Sequence, residues 1–143
     1  MLKLENQLCF PLYACAKEIV RRYTPLLEPL GLTYTQYIAM MVLWEHKSIS
    51  VKEMGKRLFL DSGTLTPMLK KMEQSGWLTR QRCQYDERRV VVTITPEGEA
   101  LQERLAEVPG RVAQCVKLET EEALQLYRTL HKLLDSFKQP KQK

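Results

Sequence analysis

Apolar residues recur at helical spacing over most of this chain. Within the first thirty residues they fall close to the 3.6-residue period of an amphipathic helix, and Pro25 and Pro29 limit its C-terminal end. Thr33 followed by Gln36 predicts a capping box that opens a second, strongly apolar helix. A last amphipathic helix is predicted to begin at Thr120. The pattern therefore predicts a mainly helical protein.

Two short helices joined by a tight turn are predicted in the middle of the chain. Ser50 with Glu53 is a second capping-box pattern that starts the first helix, and a turn at residues 59–61 follows it. The second helix has an inward apolar stripe of Leu65, Met68, Leu69 and Met72. Its exposed side carries six polar residues: Ser62, Thr64, Thr66, Lys70, Lys71 and Gln74. Because Pro67 lacks a backbone N–H, this helix either begins close to it or is bent there. Together the two helices form a helix-turn-helix.

A β-hairpin is predicted directly after the second of these helices. Residues 78–82 and 90–94 are β-prone, and the polar stretch between them forms the turn, with Arg88 at the hairpin tip. This order of elements is that of a winged helix-turn-helix. A further helix is predicted to start at Pro96 and to be disturbed around Pro109.

The length of 143 residues fits one domain. We predict a single domain over residues 1–143, in which about 47–97 form the winged helix-turn-helix. The first and last helices carry more apolar surface than so small a unit can cover, so the helical parts at about 1–30 and 98–138 are predicted to form a dimer interface. The predicted fold class is mainly α with a small β-hairpin wing (α+β), with N- and C-terminal dimerisation helices.

The net charge of +5 is concentrated in one segment. Residues 47–95 hold ten Lys and Arg against five Asp and Glu, whereas the rest of the chain holds twelve of each. Such a segment is typical of a phosphate-binding surface, with a solvated basic face as the plainer alternative. On a winged helix-turn-helix, the polar residues of the second helix would contact base edges and phosphates, and Arg88 would enter an A·T-rich minor groove. Three further arginines would hold phosphates: Arg80, Arg82 and Arg89.

The remaining composition excludes several classes of protein. No apolar run approaches the ~20 residues that cross a bilayer, and the N-terminus lacks a secretory pattern, so we expect a cytoplasmic protein without membrane contact. The four cysteines show no CxxC or Cys/His ligand spacing, and neither His46 nor His131 shows metal-ligand spacing. We therefore expect free thiols, no metal and no cofactor.

Residues Asp61–Glu73, with the sequence DSGTLTPMLKKME, and the wing motif Asp86-Glu87-Arg88 resemble the MarR family of regulators. The resemblance covers nearly the whole chain. It implies a two-fold dimer that places one recognition helix on each half-site of a pseudo-palindrome in double-stranded operator DNA. It also implies that Arg88 is the wing-tip arginine and that Asp86 helps to orient the wing.

The stretch LENQLCFPLY around Cys9 narrows this resemblance to the organic hydroperoxide regulators, the OhrR subgroup. In that subgroup the cysteine matching Cys9 is the peroxide sensor. It is surrounded by tyrosines that match Tyr13, Tyr23 and Tyr34. The Phe10-Pro11 step departs from the commoner aliphatic residue, which could alter the local helix but leaves these four residues in place.

Helix geometry adds a separate constraint on this site. Tyr13 is one turn from Cys9, but Tyr23 is fourteen residues on, roughly 21 Å along a helix. A straight helix cannot bring Tyr23 to the Cys9 of its own chain. If Tyr23 does contact a Cys9, that thiol belongs to the other subunit, and the sensor would lie across the dimer interface.

The predicted chemistry is that of a thiolate. Free cysteine, with a pKa of ~8.5, is mostly protonated at neutral pH, so a sensor needs donors that favour the anion, and phenol hydroxyls supply them without adding charge. An aromatic pocket also favours organic hydroperoxides over hydrogen peroxide. Oxidation gives a sulfenic acid that a second thiol can trap as a disulfide. The resemblance makes Cys115 one candidate for that thiol, with a small-molecule thiol as the other. Cys15 is expected to be structural, and Cys83 exposed and incidental.

The sequence thus favours a redox-sensing transcriptional repressor whose reduced dimer binds operator DNA and is released when organic hydroperoxides oxidise Cys9. One alternative is a MarR-type repressor released by reversible binding of a small aromatic ligand, with Cys9 inert. A thiol peroxidase is disfavoured because there is no βαβ pattern, no CxxC and no neighbouring Arg or His to activate Cys9. We therefore predict that the chain is not an enzyme. Activation instead of repression stays open, because it depends on where the operator lies relative to the promoter.

Overall fold

A computed structural model describes residues 1–138, so the last five residues of the predicted domain lie outside the described part. Seven α-helices and three strands follow in the order α1 (Cys9–Leu27), α2 (Tyr34–His46), β1 (Ser48–Ser50), α3 (Val51–Leu58), α4 (Ser62–Gln74), β2 (Leu78–Cys83), β3 (Asp86–Ile94), α5 (Pro96–Arg104), α6 (Val108–Ala113) and α7 (Thr120–Phe137). Two short 3-10 helices, Leu4–Asn6 and Glu28–Leu30, flank α1. The chain forms two compact units, Met1–Val112 and the part from Ala113 onward.

Side-chain caps set the starts of α2, α3 and α4. The predicted capping box of α2 is confirmed: the Thr33 hydroxyl accepts from the Gln36 backbone N–H at 3.2 Å, and the Gln36 side-chain oxygen Oε1 accepts from the Thr33 backbone N–H at 3.0 Å. At α3 the Ser50 hydroxyl accepts from the Glu53 N–H at 3.1 Å. The Asp61 carboxylate accepts from the Thr64 N–H at 2.8 Å and fixes the start of α4, five residues before Pro67. Of the two alternatives left open for Pro67, a helix start close to it is excluded, because Pro67 lies inside α4.

The turn between α3 and α4 depends on a close approach at Gly55. A Cβ on Gly55 would lie 2.6 Å from the Leu60 carbonyl oxygen, and the Leu60 N–H donates to the Gly55 carbonyl at 3.0 Å. Phe59 takes a left-handed conformation, with φ of 56°, and ends α3. This tight turn lets Met54 of α3 and Leu65 of α4 share one core.

The sheet has one more strand than the hairpin that was predicted. Its order is β1-β3-β2, and the short β1 pairs antiparallel with β3. The hairpin itself is longer than expected, because β3 begins at Asp86 and only Gln84 and Tyr85 form the turn. Opposite β2, the register jumps from Arg82↔Val90 to Cys83↔Asp86, which leaves a bulge at residues 87–89. Arg88 therefore lies in this bulge, just after the tip and not at it.

The helix predicted to start at Pro96 is two helices. It ends at Arg104, and α6 begins at Val108. The physical reason is Pro109, because a proline cannot donate to the carbonyl four residues earlier, here that of Leu105, and its ring clashes with that carbonyl. The break therefore falls one turn ahead of the expected disturbance.

The second unit contains α7, which starts at Thr120 as predicted. The Glu122 carboxylate accepts from the Glu119 N–H at 3.1 Å at its N-terminus. No residue of α7 is buried, and its apolar side chains Leu124, Tyr127 and Phe137 are exposed by 43%, 61% and 66%. Across residues 1–138, no helix is both long and apolar enough to cross a bilayer.

Candidate functional site

The outer face of α4 carries the six polar side chains that the sequence placed there. Leu65, Leu69 and Met72 are fully buried on the inner face, so the helix presents a fixed face to the outside. All six predicted residues are exposed: Ser62, Thr64, Thr66, Lys70, Lys71 and Gln74. Their contacts with DNA stay a prediction, and the structure places them where such contacts can be made.

A groove runs between α3, the start of α4 and the wing. Its cationic lining has five residues: Lys52, Lys56, Arg80, Arg88 and Arg89. The three acidic residues of the groove are engaged within the chain: Asp61 accepts from the Thr64 N–H, Asp86 accepts from the Arg88 N–H, and Glu53 pairs with Lys56 at 3.7 Å. The arrangement is suited to a polyanion such as the DNA backbone.

Arg80 is already engaged inside the protein. Its guanidinium lies 3.2 Å from a Glu73 carboxylate oxygen, and its backbone N–H donates to the other oxygen at 2.8 Å. Both side chains are largely buried. Arg80 therefore ties β2 of the wing to α4, and its predicted phosphate contact would require it to leave Glu73.

The bulge of the wing is held by its own residues. The Asp86 carboxylate accepts from the Arg88 N–H at 3.0 Å, and Arg82 donates to the Glu87 carbonyl at 3.0 Å. Arg88 and Arg89 are exposed. Asp86 thus orients the segment that carries Arg88, in keeping with the role that the resemblance implied.

The predicted sensor cysteine is at the first turn of α1. Cys9 is the first residue of that helix and is exposed, and Tyr13, one turn on, is 60% exposed. The Lys17 ammonium lies over the Tyr13 ring, 5.2 Å from its centroid. Residues 9–12, the first turn of α1, are all exposed.

The other two predicted sensor tyrosines meet at the opposite end of α1. The ring centroids of Tyr23 and Tyr34 are 4.8 Å apart, and Tyr37 joins them at 5.6 Å from Tyr23. Tyr37 is only 2% exposed and packs edge-on against Trp44 at 6.3 Å. Tyr37 lies in the strongly apolar second helix but was not among the predicted sensor tyrosines. Its spacing of three residues from Tyr34 on α2 could have revealed it.

Burial raises the pKa of the Tyr34 and Tyr37 phenols above the ordinary value, and the neighbouring Tyr23 raises the pKa of both further. These phenols therefore stay neutral at physiological pH. A neutral phenol can donate a hydrogen bond to an anion, so Tyr34 and Tyr37 have the protonation state of a donor.

The structure keeps the two halves of the predicted sensor apart. Cys9 and Tyr13 lie at one end of α1 and the Tyr23–Tyr34–Tyr37 cluster at the other, fourteen residues from Cys9, or roughly 21 Å. Cys115 is exposed in the second unit, between α6 and α7.

The other two cysteines lie in different environments. Cys15 is exposed on α1, and Cys83 is half-buried at the end of β2, not exposed as expected. In the part of the chain that the structure describes, no three His, Cys, Asp or Glu side chains come together as a metal site.

Comparison with known proteins places the chain among transcriptional regulators. The family model of the transcriptional regulators SarA/Rot matches residues 21–105. The organic hydroperoxide resistance transcriptional regulator of Bacillus subtilis (strain 168) is 49% identical over 138 residues, covering 96% of this chain and 94% of that protein.

Solved structures of AbfR, a protein of Staphylococcus epidermidis, are similar over nearly their whole length. Reduced AbfR bound to DNA is 35% identical, with a TM-score of 0.78 and 96% coverage of both chains. Disulfide-formed AbfR is 37% identical, with a TM-score of 0.65 and 92% coverage of both. Overoxidised AbfR bound to DNA is 38% identical, with a TM-score of 0.71 and coverage of 91% of this chain and 95% of that one.

These likenesses agree with the architecture. The structure has the basic helix-turn-helix, the wing hairpin and the additional strand β1. Cys9, Tyr13 and Tyr23 lie in α1, and Tyr34 lies in α2. The identity of 49% over almost all of both chains is far above what a shared fold alone would require. The chain belongs to the winged-helix transcriptional regulators of the MarR and SarA/Rot type, and within them to the organic hydroperoxide resistance regulators.

Proposed function

We propose that this chain is a redox-sensing transcriptional repressor whose reduced dimer occupies a pseudo-palindromic operator and leaves it when an organic hydroperoxide oxidises Cys9. The observation that carries the proposal is the exposed Cys9 at the start of α1, one turn from Tyr13, in a chain with a complete basic winged helix-turn-helix. The B. subtilis relative, named for organic hydroperoxide resistance, supports the signal, and reduced AbfR on DNA supports the DNA-bound state. The protein is proposed to act in the cytoplasm, as a regulator and not as an enzyme.

On the DNA side, α4 enters the major groove and the wing follows the backbone. Ser62, Thr64 and Thr66, near the start of α4, reach base edges and phosphates, while Lys70 and Lys71 add charge. Beyond α4, Arg82 and Arg89 hold phosphates and Arg88 reaches the adjacent minor groove. Gln74, in the last turn, contacts the backbone at the end of the helix.

On the sensor side, the site is completed by the second subunit. Cys9 and Tyr13 are exposed in one chain, and the cluster that contains Tyr23 and Tyr34 is too far away along the same helix. An antiparallel approach of two α1 helices brings Cys9 of one subunit to the opposite end of the other helix. The thiolate then accepts from its own Tyr13 and from Tyr23 and Tyr34 of the partner subunit.

The reaction is a two-electron oxidation of sulfur. The Cys9 thiolate attacks the terminal oxygen of the hydroperoxide, so the S–O bond forms as the O–O bond breaks. Cys9 becomes a sulfenic acid, and the alkoxide that leaves takes a proton from solvent to become an alcohol. A second thiol, of Cys115 or of a small molecule, then attacks the sulfenic sulfur, which gives a disulfide and water.

Release requires the two redox forms to differ strongly in affinity for the operator. A shift from about 99% to about 1% occupancy needs ~5.5 kcal/mol. Overoxidised AbfR is bound to DNA in its structure, so we propose that the released form of this protein is a disulfide and not an overoxidised acid. A disulfide displaces the α1 helices and with them the spacing of the two α4 helices.

The test is fluorescence anisotropy on operator DNA selected from a random pool, with cumene hydroperoxide added and then dithiothreitol. The wild-type protein should be released near stoichiometric peroxide and rebind after reduction. Cys9→Ser should bind the operator as tightly but stay bound in peroxide. Cys15→Ser, on the same exposed helix, is the matched control and should behave as wild type. A Cys9→Ser protein that peroxide still releases would overturn the proposal.

A further inference from the structure

Three side chains follow one another at intervals of four residues along α1: Cys9, Tyr13 and Lys17. Residues four apart lie on one face of a helix, and helical side chains lean towards the N-terminus. Lys17 therefore leans over Tyr13, and Tyr13 leans towards Cys9. The Lys17 Nζ is 5.2 Å from the centroid of the Tyr13 ring, within the range of a cation–π contact.

The charged residues near Lys17 do not draw its ammonium away from the Tyr13 ring. The neighbouring Glu18 carboxylate is paired with the Arg21 guanidinium at 3.2 Å. Among residues 1–138, Lys17 itself has no carboxylate within 4.0 Å. Tyr13 is 60% exposed, so packing constrains its ring only in part, and the contact with the Lys17 ammonium adds a further constraint.

We propose that Lys17 is a positioning residue of the peroxide sensor, which holds the Tyr13 ring and strengthens its hydroxyl as a donor to the Cys9 thiolate. A cation on the ring face draws electron density from the phenol, so the O–H becomes a better donor to an anion. The same positive charge, two turns from Cys9, favours the thiolate. The inference rests on the proposed function of Cys9 and adds no step to its oxidation.

The test compares the rate of Cys9 oxidation in three α1 variants, each full length and dimeric. Cys15, Cys83 and Cys115 are replaced by serine so that Cys9 is the only thiol, and its loss with cumene hydroperoxide is followed by quenching with maleimide. Lys17→Met keeps the apolar stem and removes the charge. Lys17→Arg restores a cation. Arg22→Met removes the same charge from an exposed position roughly 140° around the helix from both Cys9 and Lys17.

Lys17→Met should oxidise about two- to fivefold more slowly than the parent, Lys17→Arg should return to near the parent rate, and Arg22→Met should match it. All variants should bind operator DNA as the reduced parent does, which shows that the fold is intact. An unchanged rate in Lys17→Met would overturn the inference, and so would an equal slowing by Arg22→Met or a failure of Lys17→Arg to restore the rate. The proposed function is judged separately, by whether peroxide releases the wild-type protein from DNA.

Discussion

The DNA-binding region and the sensor helix differ in how far one chain completes them. From β1 to β3, the apolar residues Met54, Leu65, Leu69, Met72 and Val92 are fully buried against one another. In α1, by contrast, Leu27 is the one buried residue, while the apolar residues near Cys9 stay exposed. We call the segment from β1 to β3 the reading unit; it is packed within one chain, whereas the start of α1, with the proposed sensor Cys9, is exposed.

This difference shows where a chemical signal can act with the least cost. Oxidation inside a packed reading unit would disturb its fold, whereas oxidation in an interface changes how two intact units are spaced. DNA binding by a dimer depends on that spacing, because the two recognition helices must meet half-sites about one turn apart. The exposed start of α1 is therefore a suitable place for the proposed redox switch.

The largest expected effect comes from a cavity in the reading unit. Leu69→Ala should lower the free energy of unfolding by about 2–5 kcal/mol, measured by urea denaturation, because Leu69 is fully buried. The matched Leu12→Ala, on the exposed face of α1, should leave hydrogen-exchange protection of α3 and α4 unchanged and weaken dimerisation in analytical ultracentrifugation. If Leu12→Ala exposed the α4 amides as Leu69→Ala does, the two regions would not be separable.

The next effect separates DNA binding from sensing. Arg88→Ala should weaken operator binding by about 1–3 kcal/mol in anisotropy titrations, because the exposed bulge then loses one of its two arginines. The rate of Cys9 oxidation should not change. Arg104→Ala, an exposed arginine in α5 outside the groove, serves as the control and should leave both readings at their wild-type values. Equal losses in the two variants would mean that only net charge matters.

A smaller effect should follow from loosening the wing. Glu73→Gln weakens the contact with Arg80, whose guanidinium and backbone N–H both use the carboxylate, and should cost about 0.5–1.5 kcal/mol of unfolding free energy. Glu53→Gln removes a more exposed pair with Lys56, at 3.7 Å, and should cost less. The reverse order in urea denaturation would argue against Glu73 as the anchor of the wing.

The smallest effect concerns the tyrosine cluster. Because burial raises the pKa of Tyr34 and Tyr37, these phenols keep their protons in the folded state when the unfolded chain has already lost them. Their contribution to stability is therefore present below the ordinary tyrosine pKa and is lost as the pH rises through the raised values. In pH titrations followed by tyrosinate absorbance at 295 nm, Tyr34→Phe and Tyr37→Phe should each remove absorbance from the high-pH end of the curve. Loss from the earliest part would contradict the burial of the cluster.

How much of this could be predicted from sequence depends on how local each feature is. The start of α2 follows from the Thr33 and Gln36 pair and was predicted correctly, as was the exposed face of α4. The extent of the wing was not, because its strands continue through polar residues that only pairing across β2 and β3 holds in place. The strand β1 has three residues and no pattern of its own, so it exists only by pairing with β3.

The site shows the same limit. Cys9, Tyr13, Tyr23 and Tyr34 could be named from the resemblance, and the 21 Å argument could be made from helix geometry alone. The engagement of Arg80 with Glu73 could not, since the two residues come together only when the hairpin folds back on α4. Nor could the contact of Tyr37 with Tyr23, because the two residues belong to different helices.

The central claim, that the sensor is completed by the partner, is tested most directly by a heterodimer. One subunit carries Cys9→Ser with intact tyrosines, and the other carries an intact Cys9 with Tyr23→Phe and Tyr34→Phe. After isolation by two affinity tags, the oxidation rate of the single remaining Cys9 is measured with cumene hydroperoxide. We expect the heterodimer to react at the wild-type rate per thiol, because the partner supplies both phenols. The homodimer with Tyr23→Phe and Tyr34→Phe should react slowly. A heterodimer as slow as that homodimer would show that the phenols act within one chain and would contradict the account.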